Sequence, residues 1–330
     1  MPRLPPNLDA EGAKASEPPD WCPPMLATLT DERFSDPGWL YERKLDGERV
    51  LAFRAGGRVR LLTRNRKCVN DTYPELVEAL ARQPLDDFAA DGEVVAFEGR
   101  RTSFSRLQGR MQIRDPDTAR ASGIKVYLYL FDLMHAGGWD LTALPLRRRK
   151  ALLKRALTFR NPVRLAAHRN EAGEAFFREA CEKGWEGIIA KRADAPYRHG
   201  RSRDWLKFKC AQGQELVIGG FTRPKGSRAG FGALLVGYYE GDALRYAGKV
   251  GTGFDTDFLK NFRQCLDRHR QDEPPFEPAP DEAGALWVRP DLVAEIGFTE
   301  WTRDGKLRHP RFLGLRRDKA ARDIVREEPA

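Results

Sequence analysis

Apolar and polar positions alternate with period two over much of the chain between residues 39 and 99. The run at 51–64 (LAFRAGGRVRLLTR) carries two such segments on either side of Gly56-Gly57, which predicts a β-hairpin. Residues 74–83 begin with Pro74 and space Leu76, Val77 and Leu80 as a helix does. Residues 92–99 predict a strand that ends in a turn. Residues 126–134 (VYLYLFDLM) are mostly apolar, as expected of a strand buried on both faces. A basic amphipathic helix is predicted over 146–157 after Pro145, and another helix over 171–183 with Gly184 placed to end it. GIIAKR at 187–192 and WLKFK at 205–209 read as two short strands.

The texture changes after Cys210. Three β segments follow in quick succession at 215–223, 232–240 and 243–250, the last two joined at Gly241-Asp242. A helix at 256–270, a Pro-rich loop at 273–280 and β segments at 293–301 and 307–316 complete the chain. Several short strands with one helix predict a small barrel of OB type. The expected division is a flexible, Pro-rich leader over 1–20, one domain over 21–210 and a second over 211–330. No internal repeat is visible.

At 330 residues, with 41% hydrophobic and 10% aromatic residues, the chain has ample material for two cores and is not a disordered polymer. No apolar run approaches the ~18 residues of a membrane helix, and the first twenty residues lack the apolar centre of a secretory signal. A cytosolic protein is the expectation. The net charge of +9 favours a polyanionic partner, nucleic acid above all. Cys22, Cys68, Cys181, Cys210 and Cys265 are odd in number and far apart, without CxxC or Cys/His spacing. They are expected to be reduced, packed thiols, with neither a zinc site nor a disulfide framework.

The chemistry concentrates in short segments at strand ends. Lys44-Leu45-Asp46-Gly47-Glu48-Arg49, preceded by Glu42, sets a lysine before a glycine turn and an arginine after it. A lysine becomes a nucleophile once burial and neighbours deprotonate it. Asp91-Gly92-Glu93, Tyr129-Leu130-Phe131-Asp132, Glu186-Gly187-Ile188-Ile189-Ala190-Lys191 and Trp205-Leu206-Lys207-Phe208-Lys209 follow in order. Together they supply lysines for phosphates, carboxylates for a metal and an aromatic ring for a base.

In type, order and spacing these segments resemble the nucleotidyltransferase motifs of ATP-dependent DNA ligases, from about residue 22 to the end. The resemblance is strongest to the bacterial end-joining type, the ligase module of ligase D and its stand-alone relatives. The run EWTRDGKLRHPRFLGLRRDK at 300–319 is similar to the last motif of that group. The implied fold is α+β: an adenylyltransferase domain, with antiparallel sheets flanked by helices, followed by an OB-fold barrel.

By this resemblance Lys44 attacks the α-phosphorus of ATP and becomes lysyl-AMP. Asp46 assists AMP transfer, caps the turn before Gly47, or does both. Arg49 holds the ribose and the DNA 5′-phosphate, and Glu42 either assists adenine recognition or is a strand-surface charge. Glu93 contacts ribose or organises metal, and Glu186 is a metal-site carboxylate; two carboxylates with a polyphosphate suit Mg²⁺ or Mn²⁺. Phe131 stacks on adenine or is plain core. Lys207 and Lys209 share one strand face by period two and point at the α-phosphate, or form an exposed basic edge. Lys191 is a weaker nucleotide-binding candidate. Arg64 and Lys67, in a loop after the hairpin, match a segment that binds DNA beside a nick. Arg223, Lys225 and Arg228 form a basic loop with phosphate-contact but no base-reading character. Arg308, Arg316, Asp318 and Lys319 match the last motif, which in relatives orients pyrophosphate and then swings away.

Only 43 residues precede Lys44, and neither a nicotinamide-binding module nor zinc spacing is present, so ATP is expected rather than NAD. The five histidines form no relay. The helical DNA-wrapping domain of larger ligases is not found in the chain, which implies help from a partner such as a Ku-like end-binding protein; a monomer with no membrane contact is expected. The competing readings are an RNA ligase or GTP-using capping enzyme of the same superfamily, and a non-catalytic nucleic-acid-binding module.

Overall fold

The structure, a computed structural model, describes residues 4–5, 8–210, 213–224, 226 and 229–328. The described residues form two compact units, one of those up to Cys210 with Glu328, the other of those from Gly213 to Glu327.

The first unit is built on two sheets. The larger runs in the order Lys14–Ala15, Trp139–Asp140, Val126–Ala136, Phe88–Glu98, Glu48–Ala55, Arg58–Thr63, with Val163–Leu165 and Arg101–Thr102 attached alongside. The hairpin at Gly56-Gly57 forms as predicted: Ala55 pairs with Arg58, and both glycines take positive φ (55° and 75°), as a tight two-residue turn requires. The smaller sheet is ordered His168–Asn170, Trp39–Arg43, Gly187–Arg192, Arg201–Lys209, Leu26–Leu29. A cluster of Met25, Leu51, Phe53, Leu62, Ala89, Phe131, Met134, Ala166, Tyr197 and Trp205 draws side chains from both sheets. Period two sends alternate residues of the smaller sheet the other way. Tyr41, Ile188, Ala190, Leu206 and Phe208 pack there with Phe176 and Ala180 of helix Gly173–Glu182.

Predicted helices stand at Pro74–Ala81, Leu146–Ala156 and Gly173–Glu182, the last followed by Gly184 at φ 63°. Two short helices were not legible in the apolar pattern. Phe104–Met111 is capped by the Ser103 hydroxyl, which accepts from Arg106 N, and Pro116–Ala121 by Asp115, which accepts from Thr118 N. The helix Leu146–Ala156 departs from a simple amphipathic one. Arg149 is fully buried, with Nε and Nη2 on the two oxygens of the equally buried Asp132 at 2.7 and 2.9 Å and Nη1 on the carbonyls of Leu144 and Ala195.

Two expectations need correction. Part of the leader is docked rather than flexible. Leu8 is fully buried in the main core with Ala13, Lys14–Ala15 pairs with Trp139–Asp140, and Glu11 takes both Nε and Nη2 of Arg148. Low hydrophobicity misleads here because the partners are more than a hundred residues away. Truncation by Leu8→Ala is expected to destabilise the first unit by roughly 2 kcal/mol or more; denaturant unfolding checks it, and an unchanged midpoint contradicts the docking. The cysteines are also not all reduced. Cys181 and Cys210 form a disulfide, because the helix end and the strand end that carry them bring their Cα atoms to 5.2 Å. Cys22, Cys68 and Cys265 are free.

The second unit is an OB-type β domain. Its sheet runs Ala243–Val250, Leu234–Glu240, Gly213–Thr222, Ala285–Gly297, Arg270–Gln271, with Arg311–Leu315 also on Ala285–Gly297, and these strands pair antiparallel. The helix Thr256–Arg268 packs on it through Leu259, Phe262 and Leu266, capped at Asp255. No helix among the described residues is long and apolar enough to cross a membrane.

Candidate active site

The site lies in the first unit, on the face of the smaller sheet opposite its helix. Three adjacent strands set it by register. Glu42 lies across from Ile189, Ile189 from Lys207, Lys191 from Trp205 and Gly187 from Lys209. Residues paired in this way share a face, so Glu42, Lys191, Trp205, Lys207 and Lys209 all point one way.

Lys44 follows directly after the strand Trp39–Arg43. Its amide donates to the Gly187 carbonyl at 2.9 Å, and its ammonium forms an ion pair with Glu186. Gly187 also lets the strand carrying Lys207 and Lys209 come close: its φ is 148°, and a Cβ there would collide with the Phe208 carbonyl. Asp46 reaches a distant element instead of its own turn: its Oδ2 accepts from Phe104 N at 3.1 Å, at the start of the helix Phe104–Met111, and its own amide donates to Thr102 Oγ1.

Glu42 is not a surface charge. Its carboxylate is buried, with Oε1 on Lys150 Nζ at 2.6 Å and Oε2 on Lys191 Nζ at 2.8 Å. Burial alone would push its pKa up, but the two ammonium groups outweigh that and hold the carboxyl below its ordinary range. Burial dominates for Lys191, pulling it down to about 8 despite Glu42. The Lys191 ammonium lies 4.1 Å from the Phe131 ring centre and 4.0 Å from that of Trp205.

Arg49 reaches into the same region from the larger sheet. Its guanidinium grips the fully buried Asp91 through two 2.5 Å bonds, donates to the Met25 carbonyl and lies 4.6 Å from the Phe131 ring centre. Burial works against the charge, yet Asp91 raises the Arg49 pKa. Tyr197 completes this corner, donating to Asp91 at 2.6 Å and accepting from Met25 N. Glu93 is half-buried and pairs with Arg49 in register, so both side chains leave the same face of the larger sheet.

Phe131 thus belongs to a core cluster and also lies beneath two cations. Lys207 is buried and Lys209 half-buried on a strand paired along both sides, so neither sits on an exposed basic edge. Arg64 is half-buried and Lys67 exposed in the turn after Arg58–Thr63. Arg223 is exposed in the second unit, and Lys225 and Arg228 lie outside the described residues. Also in the second unit, Arg316 chelates Asp318 at 3.0 and 2.7 Å and reaches Glu295 at 3.1 Å. Lys319 pairs with Glu215 and Arg308 with Glu300.

The sequence reading missed Lys150, Asp91, Tyr197 and Trp205 as parts of this site. Asp91 and Trp205 lay inside segments already singled out. Lys150 and Tyr197 had no local signal.

Comparisons with known proteins identify the family. Residues 24–209 match the model of the ATP dependent DNA ligase domain, and residues 227–319 match that of the ATP dependent DNA ligase C terminal region. The chain is 40% identical over 321 residues to the multifunctional non-homologous end joining protein LigD of Pseudomonas aeruginosa, covering 94% of this chain and 37% of that one. It is 38% identical over 314 residues to the LigD of Mycobacterium tuberculosis, covering 92% and 40%. It therefore spans about two fifths of the length of these relatives. A solved mycobacterial DNA ligase D complexed with ATP and MES superposes with a TM-score of 0.65 at 34% identity, over 93% of this chain and 98% of that one. The two family matches together take in most of the chain, which belongs to the ATP-dependent DNA ligases.

Proposed function

We propose that the protein seals breaks in duplex DNA that carry 5′-phosphate and 3′-hydroxyl ends, using ATP. The observation that carries this reading is Lys44 at a strand end, held by Glu186 and flanked on the neighbouring strands by Lys191, Lys207 and Lys209.

In the first step the Lys44 amine forms a bond to the α-phosphorus, the bond to the β-phosphate oxygen breaks, and pyrophosphate leaves. The amine must lose its proton before it attacks, and Glu186 is the carboxylate in contact with it. Lys207 and Lys209 offset charge on the α-phosphate, while Phe131 and Glu42 receive the base and Arg49 and Glu93 the ribose. AMP then passes to the 5′-phosphate of the break, with Asp46 assisting, and the 3′-hydroxyl displaces AMP from that phosphate. Positioning and charge neutralisation supply most of the catalysis in transfers of this kind. Arg316 and Lys319 are the candidates of the second unit for pyrophosphate. Arg49, Arg64, Lys67, Arg223, Lys225 and Arg228 are the candidates for the DNA backbone.

Among the described residues no group of three or more His, Cys, Asp or Glu could cage a metal ion. The carboxylates at hand suit a hard cation that arrives with a polyphosphate and keeps waters. Glu93 and Glu186 would hold Mg²⁺ or Mn²⁺, which would supply charge neutralisation at the phosphates. The setting we infer is repair of broken ends in the cytosol, as a monomer working with a Ku-like end-binding protein.

The test uses α-labelled ATP, then nicked DNA. Covalent label that is discharged on nicked DNA as the strand is sealed is the expected result. Label from GTP alone points to a capping-type transferase, discharge only on nicked RNA to an RNA ligase, and DNA binding without label to a binding module.

A further inference from the structure

One buried ammonium ties together three elements of the candidate site. Lys150, from the helix Leu146–Ala156, donates to Glu42 Oε1 at 2.6 Å, to the Phe131 carbonyl at 3.2 Å and to the Ala166 carbonyl at 3.3 Å. Glu42 sits on the strand that leads to Lys44, Phe131 on the larger sheet, and Ala166 just past Val163–Leu165. The other Glu42 oxygen is taken by Lys191, which lies against the Phe131 and Trp205 rings.

We propose that Lys150 is a positioning residue for base selection: by fixing Glu42 as an oriented carboxylate, it makes the cleft accept a purine with an amino group at position 6 and reject one with an oxo group there. This rests on the reading of the cleft as the ATP site. An ionised carboxylate is an acceptor only, with about four lone-pair sites, of which the two lysines use two. The remaining sites match an amino donor and oppose a carbonyl lone pair. Without Lys150, one oxygen of a buried carboxylate loses its partner, and the side chain is free to turn or to take up a proton. A protonated Glu42 would donate as well as accept, and the preference for the amino group would fade. Lys191 cannot substitute, because its single bond leaves the carboxylate free to rotate about that contact. Lys150 acts behind Glu42, through a side chain and two carbonyls.

The experiment measures KM and the rate constant for lysyl-nucleotide formation with ATP and with inosine triphosphate, which carries the 6-oxo group, in wild type, Lys150→Met and Lys150→Arg. The Met variant is expected to lower the preference for ATP roughly tenfold or more, with the larger part of the loss in KM for ATP. The Arg variant, which keeps a cation on Glu42, should recover most of it. An unchanged preference in a folded Met variant overturns the proposal, as does a loss confined to the rate constant or an Arg variant no better than Met. If near-UV circular dichroism shows the Met variant unfolded, Glu42→Gln decides: the same loss of preference supports the proposal and an unchanged preference overturns it. A wild type that takes label from neither nucleotide removes the ligase reading itself. A labelled wild type with an indifferent Lys150 removes only this proposal.

Discussion

If Lys44 is the nucleophile we propose, Lys44→Ala is expected to abolish covalent labelling from α-labelled ATP, a loss of roughly a thousandfold or more, yet to leave sealing of a nick whose 5′ end is already adenylylated. The two halves of this expectation come from one geometry. Removing a nucleophile costs the whole step that depends on it, and among the described residues Lys44 is the lysine bonded through its amide to Gly187. Lys191 is committed to Glu42, while Lys207 and Lys209 project from a different strand. The last step needs no lysine nucleophile, since the 3′-hydroxyl attacks a phosphate that already carries its AMP leaving group. Loss of the side chain also frees Glu186 from its ion pair, so a several-fold change in that last step is expected as well. Gel assays with ATP and plain nicked DNA, beside pre-adenylylated nicked DNA without ATP, separate the two. Label retained by the alanine variant would move the nucleophile elsewhere.

Asp132→Ala is expected to lower stability by roughly 3–5 kcal/mol. Both members of the Asp132–Arg149 pair have fully buried side chains, and the guanidinium also satisfies the carbonyls of Leu144 and Ala195. Removing the aspartate leaves a desolvated cation facing only dipoles. Replacing both partners together, as Asp132→Leu with Arg149→Met, should cost clearly less than the single change, because no unpaired charge remains. Urea unfolding of the single and double variants reads the difference; a single variant within 1 kcal/mol of wild type would mean that the guanidinium finds water or another anion. Arg149 and Lys150 are neighbours in sequence, so this stability term and the arrangement of Glu42 depend on one short stretch of helix.

That stretch also marks the limit of what the sequence discloses. LRRRKALLKRAL is helical by spacing, and its charges read as a solvated face, yet Arg149 and Lys150 point inward. Their direction depends on Asp132 and Glu42, which lie on strands of two different sheets, Glu42 far from the helix in sequence. The hairpin at Gly56-Gly57 was legible because both its signals are local, alternation on each side and two residues able to take positive φ. Lys44, Glu186, Lys207 and Lys209 were legible because each sits in a short, ordered motif. Asp91 was in view within such a motif, but its use as the clamp on Arg49 depends on strand register. The docking of Leu8 and the joining of Cys181 to Cys210 are likewise products of tertiary approach.

The bond between Cys181 and Cys210 closes a covalent ring, and Glu186, Lys191, Lys207 and Lys209 are all inside it. Arg198 and Arg201 are exposed within the same ring. A protease that cuts the backbone once after either arginine opens the chain but frees no fragment, because the two pieces stay joined through sulfur. Such a nicked molecule migrates as a full-length protein until a reductant is added. Apparent chain integrity under non-reducing conditions is therefore no measure of whether the strands that carry Glu186 and Lys207 are still continuous.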